Sequence, residues 1–345
     1  MIPIQNIYYM LSYAFQVLNE QGYKNIATEQ FNNTGELMAA ILEKGIAIQI
    51  KRGLGKEYIL QTEALSSLRG KIDIAESIKT QSMLRKQLIC TYDEFSVNSI
   101  MNRIIKSTVE LLLRSNISKQ RKKNLRKLMV YFSEVDFIDL YTVNWNVQYN
   151  RNNQTYRMLI SICYLVVKGL LQTQSNGHTE LMDFLDEQRM CRLYEKFILE
   201  YYRKEFKNQF TANASQIPWQ LDNEENSMLP VMQSDIMLQS GEKVLIIDAK
   251  YYEHSTQVQF DKHTLHSGNL YQIFTYVKNK EYELREKNHT VSGMLLYAKT
   301  DEEIYPNNVY QMSGNQITDR TLALNLPFDE IAGQLNTIAK THFDL

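Results

Sequence analysis

Apolar residues recur every three or four positions in some stretches of the chain and every second position in others. Ile7, Leu11, Ala14, Phe15 and Leu18 fall on one helical face and predict a helix over 5–20, with a second over about 35–45. The period then shortens. The runs IAIQI, KEYILQTE and RGKIDI alternate, with glycine-bearing turns between them, and predict short strands; QLICTYDEFS adds another. Helical spacing returns over 97–114 through Val97, Ile100, Met101, Ile104, Ile105, Val109 and Leu112, and again over 154–173, where QSNGH supplies the stop. From about 185 the order becomes helix (191–207), strand, strand, helix (269–279) and strand (291–298). NVYQMS and TLALNL predict a further hairpin, and a helix near 328–341 closes the chain. The pattern predicts a multidomain mixture of α+β and α/β: a mixed β and helical region over 1–95, a helical region over 96–180 and an α/β domain over 181–345.

One hairpin in that last domain carries unusual polar residues. In SDIMLQSGEKVLIIDAKYY, Gly241-Glu242 fits a two-residue type II′ loop. Ser240 then pairs with Lys243, and the register sets Asp235 directly opposite Asp248. Lys250, two positions on, shares their face, while Leu245, Ile247 and Ala249 line the other. Opposed carboxylates repel and weaken a hairpin unless something compensates. A Mg²⁺ ion would do so, since it takes hard oxygen ligands and keeps positions for water and phosphate. Lys250 beside such a site would orient a water or steady charge on phosphorus. A D-x-K run on a strand is common by itself; Asp235 in register is what gives this one weight. Two helical residues join the set. Glu195 shares an apolar stripe with Leu199, Tyr202 and Phe206, and Gln272 lies opposite the arc of Leu270, Ile273, Phe274 and Val277. Gln272 reads either as a solvated residue or as a hydrogen-bond partner within the site.

Composition narrows the setting. A net charge of −1 argues against a chain that grips nucleic acid unaided, because phosphate neutralisation supplies most of that affinity. Charge is concentrated locally in SKQRKKNLRKLM, with six basic residues among the nine from Lys119 to Lys127. This run reads as a solvated helix face, or as a contact for DNA phosphates or an acidic partner. Cys90, Cys163 and Cys191 show no zinc spacing and fit free thiols of a reducing cytoplasm. The start MIPIQNIYYML lacks a signal-peptide pattern. LISICYLVVKGLL, broken by Lys168, is too short to cross a membrane. There is no GxxxxGK[ST] run for nucleotide phosphates.

Glu195, Asp235, Asp248-Ala249-Lys250 and Gln272, in this order, resemble the PD-(D/E)xK nuclease superfamily, with SD standing where the motif has PD. The resemblance implies a restriction-endonuclease-like domain with a central mixed sheet. It implies Mg²⁺ on Asp235, Asp248 and the Ala249 carbonyl, Glu195 acting through a metal-bound water, and Lys250 positioning the nucleophilic water. Further segments, IPIQNIYYMLSYAF, RGLGKEYI, LRGKIDI, CTYDEFSVNSIMNRIIK, YNRNNQTYRMLI and LYEKFI, resemble McrC, the nuclease subunit of McrBC-type restriction systems directed at modified (5-methylcytosine) DNA. That implies a McrB-like hexameric AAA+ GTPase as partner, docked through the N-terminal half, which binds GTP itself and recognises double-stranded, methylated DNA. In KRGLGKEY, Arg52 and Lys56 are either a basic finger tip for that ring or cations on a plain hairpin turn. Arg69 and Asp73 in LRGKIDI read as an internal salt bridge.

Three functional readings follow. The first is a Mg²⁺-dependent DNA endonuclease subunit that its GTPase partner activates. The second is a non-catalytic adaptor that stimulates the GTPase and clamps DNA. The third is a stand-alone nuclease of another restriction class.

Overall fold

Pro3 starts helix α1 (Ile4–Ala14), which buries Ile7, Tyr8, Met10, Leu11 and Ala14. It ends where the Phe15 amide closes on the Leu11 carbonyl, so it is shorter than the predicted 5–20. The structure is a computed structural model and describes residues 2–345 apart from 16–17, 19–22, 24–25, 27–28, 30, 32, 152, 175–186, 224–227, 253–256, 260–261 and 300–304. It divides into two compact units, Met1–Phe31 with Phe184–Leu345, and Asn32–Asp183. The division at 183/184 lies close to the expected boundary at 180, and no division falls at the expected 95. Residues 1–31 join the C-terminal unit, and residues 32–95 and 96–183 form one body.

The Asn32–Asp183 unit begins with helix α2 (Thr34–Arg52), capped by the Asn33 side chain, which accepts from the Glu36 amide at 2.8 Å. IAIQI lies inside this helix and is not a strand. Ile46 and Gln49, three apart, turn to the core, and the chain leaves the helix at Gly53 with φ 92°. Strands β1 (Glu57–Leu65), β2 (Lys71–Asp73) and β3 (Leu88–Ser96) form an antiparallel sheet in the order β1-β3-β2, with α3 (Ile74–Lys79) between the last two. Helices α4 (Ile100–Arg114), α5 (Lys119–Met129) and α6 (Tyr156–Gln174) follow. Tyr156 ties three of these segments together. Its hydroxyl accepts from the Gly55 amide at 2.7 Å and donates to Asn102 Oδ1 at 2.7 Å, and Asn102 Nδ2 reaches the Gly55 carbonyl.

KRGLGKEY is therefore a helix-to-strand joint, not a hairpin turn, and Arg52 and Lys56 are exposed on it. Nor do Arg69 and Asp73 pair with each other. The Arg69 guanidinium lies 4.1 Å from the Tyr92 ring centroid, and Asp73 caps α3 through the Glu76 amide.

The other unit resumes with α7 (Glu187–Glu205), β4 (Thr211–Asn213), β5 (Gln216–Ile217), β6 (Met232–Gln233), β7 (Ile236–Ser240) and β8 (Lys243–Lys250). After these come β9 (Gln257–Gln259), β10 (Lys262–Thr264), α8 (Ser267–Glu283), β11 (Thr290–Ala298), β12 (Asn308–Met312), β13 (Asn315–Leu322) and α9 (Phe328–Phe343). Among the described residues, six strands form a mixed sheet in the order β12-β13-β11-β8-β7-β4. β8 and β11 are parallel with α8 as their crossover, as a parallel pair requires. β13 is parallel to β11, while β12, β7 and β4 pair antiparallel. NVYQMS opens a hairpin as expected, but its second strand starts at Asn315. Ser313 and Gly314 form the loop with φ 50° and 91°, the paired positive angles of a type I′ turn.

Ile273, Tyr276 and Val277 of α8 pack on Val244 and Ile246 of β8 and Val291 and Leu295 of β11. Gly293 makes this approach possible: a Cβ there would meet Ile273 Cγ1 and Val277 Cγ2 at 2.8 Å. α1 completes the unit from the far end of the chain. Tyr9 stacks on Phe328 with centroids 4.5 Å apart, and Tyr13 meets Phe197 at 5.8 Å. Asn6, 3% exposed, donates to the carbonyls of Leu324 and Leu326 at 2.8 and 2.7 Å.

Candidate active site

The β7–β8 hairpin has the register that the loop dictates: Ser240 pairs with Lys243, and Ile236 with Ile247. Gly241 holds φ 55° in the loop. One further step sets Asp235, just before β7, across from Asp248. Asp235 Oδ2 accepts from the Ala249 amide at 2.9 Å, which fixes that carboxylate against the neighbouring strand. Leu245, Ile247 and Ala249 are buried on one face, and Val244 and Ile246 of the other face lead to Asp248 and Lys250 beside α8.

Asp248 is 1% exposed. Lys250 Nζ lies 2.9 Å from its Oδ2 as an ion pair, and Oδ1 has no hydrogen-bond partner. A buried acceptor left without donors is costly and invites a ligand. Burial pushes the Asp248 carboxyl well above the usual carboxylate range; Lys250 pulls it down and Asp235 pushes it up. Burial alone would lower the Lys250 ammonium, but Asp248 and then Asp235 outweigh it and raise the pKa, keeping the charge.

Gln272 is half-buried and not simply solvated. Its Oε1 accepts from Lys250 Nζ at 3.3 Å, and its Nε2 donates to the Tyr276 hydroxyl at 2.9 Å. Helix α8 thus fixes the direction of the β8 ammonium. Glu195 enters from α7, on the stripe where Leu199, Tyr202 and Phe206 are buried. Burial, followed by the charge of Asp235, raises its pKa, against the lowering effects of Cys191, Lys250 and Arg192.

Sequence reasoning missed Cys191. One turn before Glu195, its thiol donates to Glu195 Oε1 at 3.1 Å and lies 4.0 Å from the Ala249 carbonyl. Burial pushes this thiol up to about 12, with Glu195 adding to the shift, so it remains protonated as a donor. The available signal was the i, i+4 spacing of Cys191 and Glu195. A polar relay beyond Lys250 was also missed: Tyr252 donates to Asn269 Oδ1 at 3.1 Å, and Asn269 Nδ2 reaches the Tyr297 hydroxyl at 3.3 Å.

Among the described residues, no three or more His, Cys, Asp or Glu side chains are grouped to hold a metal. The donors at the hairpin still fit a hard cation. Asp248 offers two buried oxygens, Oδ1 without a partner and Oδ2 facing the Lys250 ammonium, Asp235 has a second oxygen beyond its backbone contact, and the set is all oxygen. Mg²⁺ commonly binds one or two carboxylates and fills its other positions with water.

Comparison with known proteins gives the family. A curated relative, the type IV methyl-directed restriction enzyme EcoKMcrBC of Escherichia coli (strain K12), is 29% identical over 323 residues, covering 92% of this chain and 91% of the relative. A refined half-complex from the tetradecameric assembly of Thermococcus gammatolerans McrB AAA+ hexamers with bound McrC matches at TM-score 0.48 and 18% identity, covering 97% of this chain and 76% of that one. The cryo-EM structure of the Thermococcus gammatolerans McrBC complex matches at TM-score 0.43 and 23% identity over 59% of each chain. The family model for the McrBC 5-methylcytosine restriction system component matches residues 5–298, a span that takes in Glu195, Asp235, Asp248, Lys250 and Gln272, and the chain belongs to that family.

Proposed function

We propose that this chain is the nuclease subunit of a McrBC-type complex, a Mg²⁺-dependent DNA endonuclease with a restriction-endonuclease-like C-terminal unit, working with a McrB-like AAA+ GTPase on methylated double-stranded DNA. Family membership supports the system and the partner. The observation that carries the chemistry is Asp248, buried one register step from the end of the β7–β8 ladder, with Oδ1 unpartnered and Oδ2 facing the Lys250 ammonium at 2.9 Å.

Asp235, Asp248 and the Ala249 carbonyl would hold Mg²⁺, with Glu195 contributing through water. When bound, the ion supplies Lewis-acid polarisation of the phosphoryl group and an acidified water. The chain's own residues do the positioning. Asp235 is anchored by the Ala249 amide, which keeps its free oxygen on the Asp248 face. Lys250, held cationic by the acids around it, acts as a donor that orients the attacking water and steadies charge developing on phosphorus, not as a base. Gln272 fixes where that ammonium points. Each positioned group contributes part of the roughly 8–23 kcal/mol by which enzymes lower barriers.

The test is Asp248→Ala in a complex reconstituted with the GTPase partner, GTP, Mg²⁺ and methylated DNA. Cleavage should be lost and stimulation of GTP hydrolysis retained. A wild-type complex that stimulates hydrolysis but never cuts would establish the adaptor reading instead. Cutting by the purified chain without nucleotide or partner would establish a stand-alone nuclease.

A further inference from the structure

Helix α5 carries Lys119, Arg121, Lys122, Lys123, Arg126 and Lys127. Arg121 alone among these turns inward: its Nη1 meets Glu43 Oε2 at 2.8 Å, and its Nε lies 3.7 Å from Glu36 Oε2. Asn124 Nδ2 reaches Glu43 Oε1 at 3.0 Å, and Leu125 is fully buried, so this side docks α5 on α2. The outer side is left with Lys119, Lys123, Arg126 and Lys127 exposed and Lys122 half-exposed. Among the described residues, none of these five has an ion-pair partner.

Compensation within the helix is partial: Arg126 and Lys127 lie in the last turn, where the negative end of the dipole favours cations. Lys119 and Lys123, Lys122 and Arg126, and Lys123 and Lys127 stand four apart, where like charges weaken a helix. The first turn holds no acid, so its cations add to the positive end of the helix dipole. The whole chain has 38 basic and 39 acidic residues, so the density here is a local concentration and not a reflection of composition. We propose that the outer face of α5 is a binding surface for the phosphate backbone of duplex DNA, read without regard to sequence. An array of close-spaced, unpaired cations suits a polyanion with regularly spaced charges better than a single acidic side chain, and phosphate binding offsets the repulsion. The choice of DNA rests on the nuclease reading above; the surface itself does not.

The test uses the full chain in EDTA, so that cleavage does not intervene, and a fluorescent unmodified 30-base-pair duplex titrated at several salt concentrations. Wild type should bind with log K falling steeply against log salt. The variant Lys119→Gln/Lys123→Gln/Arg126→Gln/Lys127→Gln should flatten that slope by about 0.9 for each phosphate no longer neutralised. A control, Arg85→Gln/Lys86→Gln, removes two exposed cations elsewhere in the same unit and should leave the slope unchanged. If the quadruple variant melts early, single Lys123→Gln and Arg126→Gln variants should each lower the slope by about one. Wild-type slopes in these variants overturn the proposal, as does absence of salt-dependent binding by wild type. So does normal DNA binding with lost stimulation of the GTPase, which would make α5 a protein contact. A chain that binds with the expected slope but never cuts in the reconstituted complex sinks the nuclease reading and leaves this surface standing.

Discussion

Cys191 and Glu195 sit one turn apart on α7, and the thiol donates to Glu195 Oε1 at 3.1 Å while lying 4.0 Å from the Ala249 carbonyl. The contact joins two of the groups proposed to hold the metal, one on a helix and one on a strand. Outer donors of this kind set the orientation of ligands, and their loss commonly costs about 10–100-fold in metal affinity or activity.

Cys191→Ser keeps a donor at the same place and should cleave within a few-fold of wild type. Cys191→Ala should need about tenfold more Mg²⁺ for half-maximal cleavage. Equal Mg²⁺ requirements for the alanine variant and wild type would remove any positioning role from this thiol.

Acidity gives a second expectation. Burial raises the Asp248 carboxyl above its unfolded value, and Glu195 is shifted in the same direction. A raised carboxyl contributes stability below its unfolded pKa and loses it as pH rises through the folded value, because the folded state holds the proton longer. Without metal, the C-terminal unit should therefore lose part of its stability as pH climbs from the ordinary carboxylate range toward the raised value. Mg²⁺ competes with that proton and favours the ionised form. The rise in melting temperature on adding Mg²⁺ should be larger at pH 8 than at pH 6. Thermal melts showing an equal or larger rise at pH 6 would count against Asp248 as a ligand.

Gly293→Ala introduces a methyl where Ile273 Cγ1 and Val277 Cγ2 already stand 2.8 Å away. Both are branched side chains held close to the helix backbone, so α8 itself must shift. Overpacking of this kind costs about 1–3 kcal/mol. Because α8 also carries Gln272, which meets Lys250 at 3.3 Å, cleavage should fall together with the melting temperature. An unchanged melt would show that the interface has slack.

Asn6→Ala should destabilise the C-terminal unit by about 1–3 kcal/mol, since it strips a buried contact to the Leu324 carbonyl and a part-buried one to Leu326. Denaturant unfolding followed by a probe in that unit measures it; a midpoint equal to wild type would show that water replaces the amide.

The arrangement of the candidate site was legible in the sequence to the extent that local rules fixed it. A two-residue loop at Gly241-Glu242 sets a register, and a register sets faces, so Asp235, Asp248 and Lys250 followed from counting. The Glu195 stripe was legible for a similar reason, because Leu199, Tyr202 and Phe206 repeat at helical spacing. IAIQI misled because isoleucines at alternate positions also suit a helix, and the Asn33 cap and Gly53 exit that decide the matter lie outside the run. TLALNL drew attention by its alternation, while Ser313-Gly314, the true turn signal, stood earlier. The partners of Gln272 and Cys191 depend on how α7 and α8 lie against the sheet, and no spacing rule along one segment contains that.

The union of α1 with residues 184–345 has an effect on synthesis. A ribosome makes the helix that carries Asn6 and Tyr13 before the intervening unit, and must add the whole of that unit before Phe197, Leu324 and Phe328 exist to receive it. During that interval α1 keeps an apolar face with no docking place of its own. The C-terminal unit can close only after Phe328 has been made, and a fragment cut at residue 184 would be born without the helix that completes it.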